Sequence, residues 1–172
     1  MKKNLYRTVL IILALGSLLG LMPRTADADY YLYSRKGAVD LSLGMGMLVR
    51  SPVKFDLQVS GEYFWLNNFS LGFSIDSYLR GPNAFSFRPF GRYHFDISQL
   101  PKFVPYVGVG LGGGIDTNSN GFMDILVPNF GFKYAVTRNF QLGSDFGLHI
   151  FTDFDSSRVD FHILFLTIGY RF

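Results

Sequence analysis

A chain of 172 residues without cysteine is sized for one domain, and it excludes a disulfide framework, a thiolate metal site, a cysteine nucleophile and a lipid-modified N-terminal cysteine. Sixteen Lys plus Arg stand against thirteen Asp plus Glu, but four of the bases (Lys2, Lys3, Arg7, Arg24) and one acid (Asp27) precede residue 29. The remainder holds twelve of each sign, so charge gives no reason to expect nucleic acid or an anionic partner.

In chain order, residues 1–28 read as a secretory signal peptide. Lys2, Lys3 and Arg7 make a positive start, 9–21 is apolar, and Ala26-Asp27-Ala28 supplies small residues for cleavage. The apolar run is shorter than the ~20 residues of a spanning helix, and no later segment is long enough either. The chain has 17% aromatic residues and 19 glycines, all but two of the glycines within 29–172, which is unlike a water-soluble domain of that size, and if 29–172 enters a membrane it must close into a barrel.

Eight segments alternate as spanning strands do, apolar on one face and polar or small on the other. The first sets Val39, Leu41, Leu43, Met45, Met47 and Val49 against Asp40, Ser42, Gly44, Gly46, Leu48 and Arg50. The second opposes Phe55, Leu57, Val59, Tyr63 and Trp65 to Asp56, Gln58, Ser60 and Glu62; the third opposes Phe69, Leu71, Phe73 and Ile75 to Ser70, Gly72, Ser74 and Asp76. The fourth sets Phe85, Phe87, Tyr93 and Phe95 against Ser86, Arg88, Arg92 and His94, with Pro89 expected to force a bulge or a gap in the ladder. In the fifth, Val107, Val109, Leu111 and Ile115 alternate with Gly108, Gly110, Gly112 and Gly114. The sixth places Leu126, Phe130, Phe132 and Tyr134 outward and Asn129, Gly131 and Lys133 inward. The seventh opposes Phe140, Leu142, Phe146, Leu148 and Ile150 to Gln141, Gly143, Asp145, Gly147 and His149. The eighth ends with Leu164, Leu166, Ile168, Tyr170 and Phe172 outward, and Thr167, Gly169 and Arg171 inward.

A one-residue slip would exchange the faces and put Glu62, Arg92, Lys133 and Asp145 in hydrocarbon. Lys or Arg there costs ~2–4 kcal/mol near the midplane. A soluble sandwich also alternates, but it would not crowd its polar face with glycine or gather outward aromatics at one rim. The expected fold is therefore all-β, an eight-stranded antiparallel up-and-down transmembrane β-barrel over 29–172.

The stretch Pro105-Tyr106-Val107-Gly108-Val109-Gly110-Leu111-Gly112, then Asn129-Phe130-Gly131-Phe132-Lys133-Tyr134, and the closing Thr167-Ile168-Gly169-Tyr170-Arg171-Phe172 resemble the small outer-membrane β-barrel superfamily. That group includes opacity-protein-like, outer membrane protein W-like and outer membrane protein A-like barrels. The resemblance implies export to the outer membrane of a Gram-negative cell, with Tyr170 and Phe172 as the C-terminal insertion signature read by the insertion machinery. It implies contact with outer-membrane lipid and lipopolysaccharide; its motifs are structural and do not specify a task.

An eight-stranded barrel is about filled by its own side chains, so an open diffusion pore is not expected. Asp40, Glu62, Asp76 and Asp145 share the lumen by parity with Arg88, Arg92, Lys133 and Arg171, and such charges pair with one another. The expected role is structural, or envelope maintenance, as a monomer with no nucleic acid, no cofactor and no catalytic residues. The alternative is binding or narrow passage of small hydrophobic molecules. If parity persists into the outer half, Ile125, Val127, Phe151, Phe161, Ile163 and Phe165, together with Met123, line an apolar pocket, while Arg158, Asp160 and His162 lie above the hydrocarbon or near lipopolysaccharide head groups. Asp116, Asn118, Asn120 and Asp124 match the start of a calcium loop, although Val127 stands where the bidentate Glu belongs and a polar Gly-containing turn uses the same residues. A lipid-modifying enzyme is the third reading, resting on Ser156 and Ser157 near His149 and Asp153; the short outward connections argue against an adhesin.

Overall fold

The structure is a computed structural model that describes residues 35–50, 52–79, 83–118 and 120–172; the proposed signal peptide lies outside them. Eight strands follow one another: β1 (Val39–Val49), β2 (Lys54–Leu66), β3 (Phe69–Leu79), β4 (Ala84–His94), β5 (Phe103–Asp116), β6 (Gly121–Ala135), β7 (Phe140–Thr152) and β8 (Ser157–Arg171). Each pairs antiparallel with its neighbours, and β1 pairs with β8, so the sheet closes on itself in sequence order and has no free edge. At the seam the Phe172 amide donates to the Val39 carbonyl at 2.9 Å.

The two ends of the barrel differ. At one end β2 turns into β3 through two residues, with Asn68 at φ 66°, a left-handed position that asparagine tolerates well. Its side-chain amide donates to the His94 carbonyl at 2.9 Å, and Asn139 does the same for Arg171 at 2.7 Å, tying adjacent strand ends together. At the other end the connections 50–53, 80–83, 117–120 and 153–156 are four residues each.

Outward side chains are apolar yet exposed, as Leu43 (56%), Phe55 (55%), Val109 (54%) and Phe146 (45%) illustrate, so this surface is built for hydrocarbon rather than water. Tyr63, Trp65, Tyr93, Phe95, Phe132 and Tyr134 form an exposed aromatic band toward the end that carries the two-residue turn, and Tyr170 and Phe172 pack edge to face beside it with centroids 5.0 Å apart. The interior is inverted to match. Among the described residues, polar and charged side chains outnumber apolar ones two to one in the buried set.

Pro89 leaves a gap and not a bulge. Pairing of β4 with β5 stops at Phe87–Gly113 and resumes at Phe90–Gly110 in the same register. Besides a register shift at the end of β2 between Phe64 and Leu66, two bulges interrupt strands within the barrel wall. Between Leu126 and Asn129, β6 carries one residue more than either neighbour, and β8 does so between Leu164 and Thr167. One extra residue exchanges the faces of everything beyond it. Leu126 (4% exposed) and Leu164 (0%), expected outside, therefore point inward, and Asp124, Asp160 and His162 enter the lumen with them.

Candidate functional site

The lumen is built in tiers. At the end with the aromatic band, Asp40 on β1 is clasped by Arg171 across the seam, Nε to Oδ1 at 2.6 Å and Nη2 to Oδ2 at 2.7 Å, and by Lys133 Nζ at 2.9 Å. Lys133 also meets Glu62, which accepts from Ser70 Oγ at 3.0 Å and lies 3.6 Å from Arg92. Arg92 reaches Asp145 at 3.4 Å and is stacked between Phe90 and Tyr106, whose hydroxyl donates to the same Asp145 at 3.0 Å.

The middle tier centres on Arg88, 1% exposed. It pairs with Asp76 at 3.1 Å and Asp124 at 2.6 Å. Asp76 also accepts from Gln58 (2.7 Å) and Ser74 (2.8 Å), and Asp124 from Ser86 (2.8 Å) and Tyr78 (3.2 Å). His149 Nδ1 lies 2.7 Å from Asp124, His162 Nε2 lies 2.6 Å from Asp56, and the two imidazoles meet edge to face at 4.6 Å. The bare face of β5 makes room for these cations: a Cβ on Gly110 would stand 2.8 Å from Arg88 Cδ, and one on Gly108 2.8 Å from Arg92 Cγ. All eight residues expected to share the lumen (Asp40, Glu62, Asp76, Arg88, Arg92, Lys133, Asp145, Arg171) are buried and ion-paired there. Sequence reasoning did not place Asp124, His162 or Asp160 among them; the signal for all three was a charge or imidazole on a face otherwise assigned to lipid.

Between the tiers, among Ser42, Gln58, Arg92 and Lys133, the void is about 10 Å³, close to the room one water requires. Above the middle tier the lumen opens into a cup of about 550 Å³ at the end with the four-residue connections. Leu48, Tyr78, Ala84, Phe151 and the half-buried Phe122 form its floor, and Arg50, Lys54 and Arg158 stand on its wall. Asp160, 3% exposed, lies 3.5 Å from Arg50 and 2.9 Å from Arg158.

The expected apolar pocket is corrected accordingly. Of its members only Phe151 points inward; Val127 (43%), Phe161 (41%) and Phe165 (48%) are exposed on the outer surface, with Met123, Ile125 and Ile163 on the same face, because the β6 and β8 bulges turn them to lipid. Asp160 and His162 are likewise luminal instead of lying near head groups. The calcium loop does not assemble either. The Asp116 carboxylate accepts the Asn118 and Asn120 amides at 2.8 and 3.0 Å, whereas Asp124 sits on β6 with Arg88. The Ser–His arrangement is also apart: Ser156 Oγ donates to Asp153 at 3.1 Å, and His149 is turned into the plug toward Asp124.

No family model matches the chain, and no curated protein matches it. Solved structures do. The N-terminal β-barrel domain of Pseudomonas aeruginosa OprF superposes with a TM-score of 0.63 at 19% identity, over 80% of this chain and 98% of that one. Neisserial surface protein A gives 0.57 at 19% identity over 78% and 94%, and a de novo designed transmembrane β-barrel gives 0.56 at 17% over 80% and 98%. At such identities the likeness is one of fold: the chain has the architecture of the small eight-stranded outer-membrane barrels.

Proposed function

We propose that this chain is an integral barrel of the bacterial outer membrane, exported by residues 1–28, whose lumen is sealed and whose role is structural, in maintaining the envelope. The observation that carries the reading is the charged plug. Arg88, Arg92, Lys133 and Arg171 are each bound to buried carboxylates, and the void beside Arg92 and Lys133 is about 10 Å³. The apolar belt and aromatic band fit a protein held in lipid by its own surface, with lipopolysaccharide as its outer neighbour. Four-residue outer connections leave little area for a protein partner, which fits a monomer that is not an adhesin.

Planar-bilayer recording of the purified protein tests this directly. A sealed lumen gives no stable conducting steps, and reproducible single-channel openings in the unmodified protein would overturn the reading. A second reading, binding of small molecules at the outer mouth, is favoured by the 550 Å³ cup.

A further inference from the structure

We infer that Asn120 is a site of spontaneous, backbone-assisted modification, at which the side-chain amide is exchanged for a carboxylate, as aspartate and isoaspartate, with no enzyme. The chain contains one Asn-Gly pair, Asn120-Gly121, and it lies where β6 begins, at the end with the four-residue connections. The step needs three things at once: a backbone nitrogen not committed to a sheet, room for a five-membered ring to close, and access for water.

Strand register supplies the first. The Asp116 amide donates to the Asn120 carbonyl at 3.1 Å, which makes the next pair of the β5–β6 ladder, Ile115–Gly121, a non-hydrogen-bonded one. The Gly121 N–H therefore points away from β5. On its other side β7 pairs with β6 only from Met123 onward, so no strand among the described residues is there to take it. Glycine supplies the second, because no side chain crowds the ring, and even a Cβ at position 121 would meet nothing within 4 Å. Both residues are exposed, which supplies the third.

The Asn120 side chain is held by one long bond, Nδ2 donating to Asp116 Oδ2 at 3.3 Å. Other asparagines at strand ends are held more tightly. Asn68 donates to the His94 carbonyl at 2.9 Å and to Asp96 at 3.0 Å, and Asn139 donates to the Arg171 carbonyl at 2.7 Å. Both are followed by phenylalanine, as is Asn129, which is 1% exposed.

The reaction balances without an oxidant or reductant. The Gly121 nitrogen gives its proton to hydroxide and bonds to Asn120 Cγ; the Cγ–Nδ2 bond breaks, and Nδ2 leaves as ammonia with a proton from water. Water then opens the succinimide ring at either carbonyl, leaving aspartate or isoaspartate. Either product sets a new carboxylate against that of Asp116 on the rim of the cup, which both residues line. Isoaspartate also adds a methylene to the backbone where the Asn120 carbonyl accepts the Asp116 amide.

The test incubates the full barrel in nanodiscs at mildly alkaline pH and follows its peptides by mass spectrometry, with fragmentation that separates aspartate from isoaspartate. A gain of about one mass unit is expected in the peptide that holds Asn120, as both products and at a rate proportional to hydroxide. Gly121→Val, whose Cβ has open space but whose branched side chain crowds the ring, should suppress the conversion in a barrel of unchanged circular dichroism. An Asn120 that stays intact in the folded barrel while the urea-unfolded chain converts would overturn the inference without any variant having to fold. So would equal conversion at Asn68 or Asn139, or conversion undiminished in Gly121→Val.

Discussion

Removing the central cation of the plug is the most direct perturbation of what fills this barrel. Arg88→Met keeps roughly the length of the side chain and deletes its charge. Two carboxylates lose their ion pairs together, Asp124 at 2.6 Å and Asp76 at 3.1 Å, in a region where Arg88 is 1% exposed and both acids 0%. Breaking a buried pair from one side costs about 3–5 kcal/mol, since the remaining charge is left uncompensated. Here Asp124 would retain Ser86, Tyr78 and His149, and Asp76 would retain Gln58 and Ser74, which places the expected loss toward the lower end, about 3 kcal/mol. Urea unfolding from lipid vesicles measures it, followed by the folded-form gel shift and by the fluorescence of Trp65, the single tryptophan, which sits on the lipid face away from the substitution. Adding Asp124→Asn should recover part of the loss, with a coupling of at least about 1 kcal/mol. A loss below about 1 kcal/mol, or strict additivity of the two substitutions, would refute the claim that this ion pair organises the plug.

The other expectations concern packing, lipid contact and one outer loop. Gly112→Ala should destabilise by about 1–3 kcal/mol, because its Cβ would overlap the Phe87 carbonyl oxygen and lie 2.6 Å from Arg88 Cα, whereas Gly113→Ala, with only the Phe122 carbonyl at 3.4 Å, should be near neutral in the same urea assay. Phe165→Arg places a cation on the lipid face and should cost about 2–4 kcal/mol with reduced insertion into vesicles; unimpaired insertion would return Phe165 to the lumen. In the loop 153–156, hydrogen bonds from the Ser156 amide and then its hydroxyl hold the Asp153 carboxyl below the usual aspartate range. A depressed pKa stabilises the loop above the unfolded value and ceases to do so as pH falls through the folded one, so the Ser156 amide shift in NMR should titrate below the ordinary aspartate range, and Asp153→Asn should abolish that titration.

Much of the half with the aromatic band was legible because every strand there contrasts sharply between its faces. Asp40, Glu62, Arg92, Lys133 and Arg171 alternate with large apolar residues, and the cost of a charge in hydrocarbon makes one register far better than its neighbour. Contrast is lost in the outer halves of β6 and β8. Phe122-Met123, Ile125-Leu126-Val127 and Ile163-Leu164-Phe165-Leu166 are apolar on both parities, so counting forward from the well-determined half carries the register through the bulge unchanged. Pro128 was a usable warning in β6, since proline cannot donate to a ladder and so accompanies a gap or a bulge where a donor is needed. No such residue marks β8; the information there lies in Asp160 and His162, whose presence on a supposed lipid face is itself the contradiction.

Pairing of the charges was out of reach for a different reason. Arg171 meets Asp40 across 131 positions, and Arg88 meets Asp124 across 36, because barrel closure and strand stagger decide which rows coincide. The bulges and the plug then belong to one electrostatic problem. Had β6 and β8 kept a single parity, Asp124, Asp160 and His162 would face lipid, Arg88 would retain only Asp76 among its present carboxylate partners, and Asp56 would lose its imidazole. One additional residue in each strand transfers two carboxylates and an imidazole from hydrocarbon to the lumen, opposite cations that the other strands already hold there. Charge compensation in the outer lumen is therefore a consequence of strand irregularity, which is why uniform alternation could identify the barrel and still misassign its upper interior.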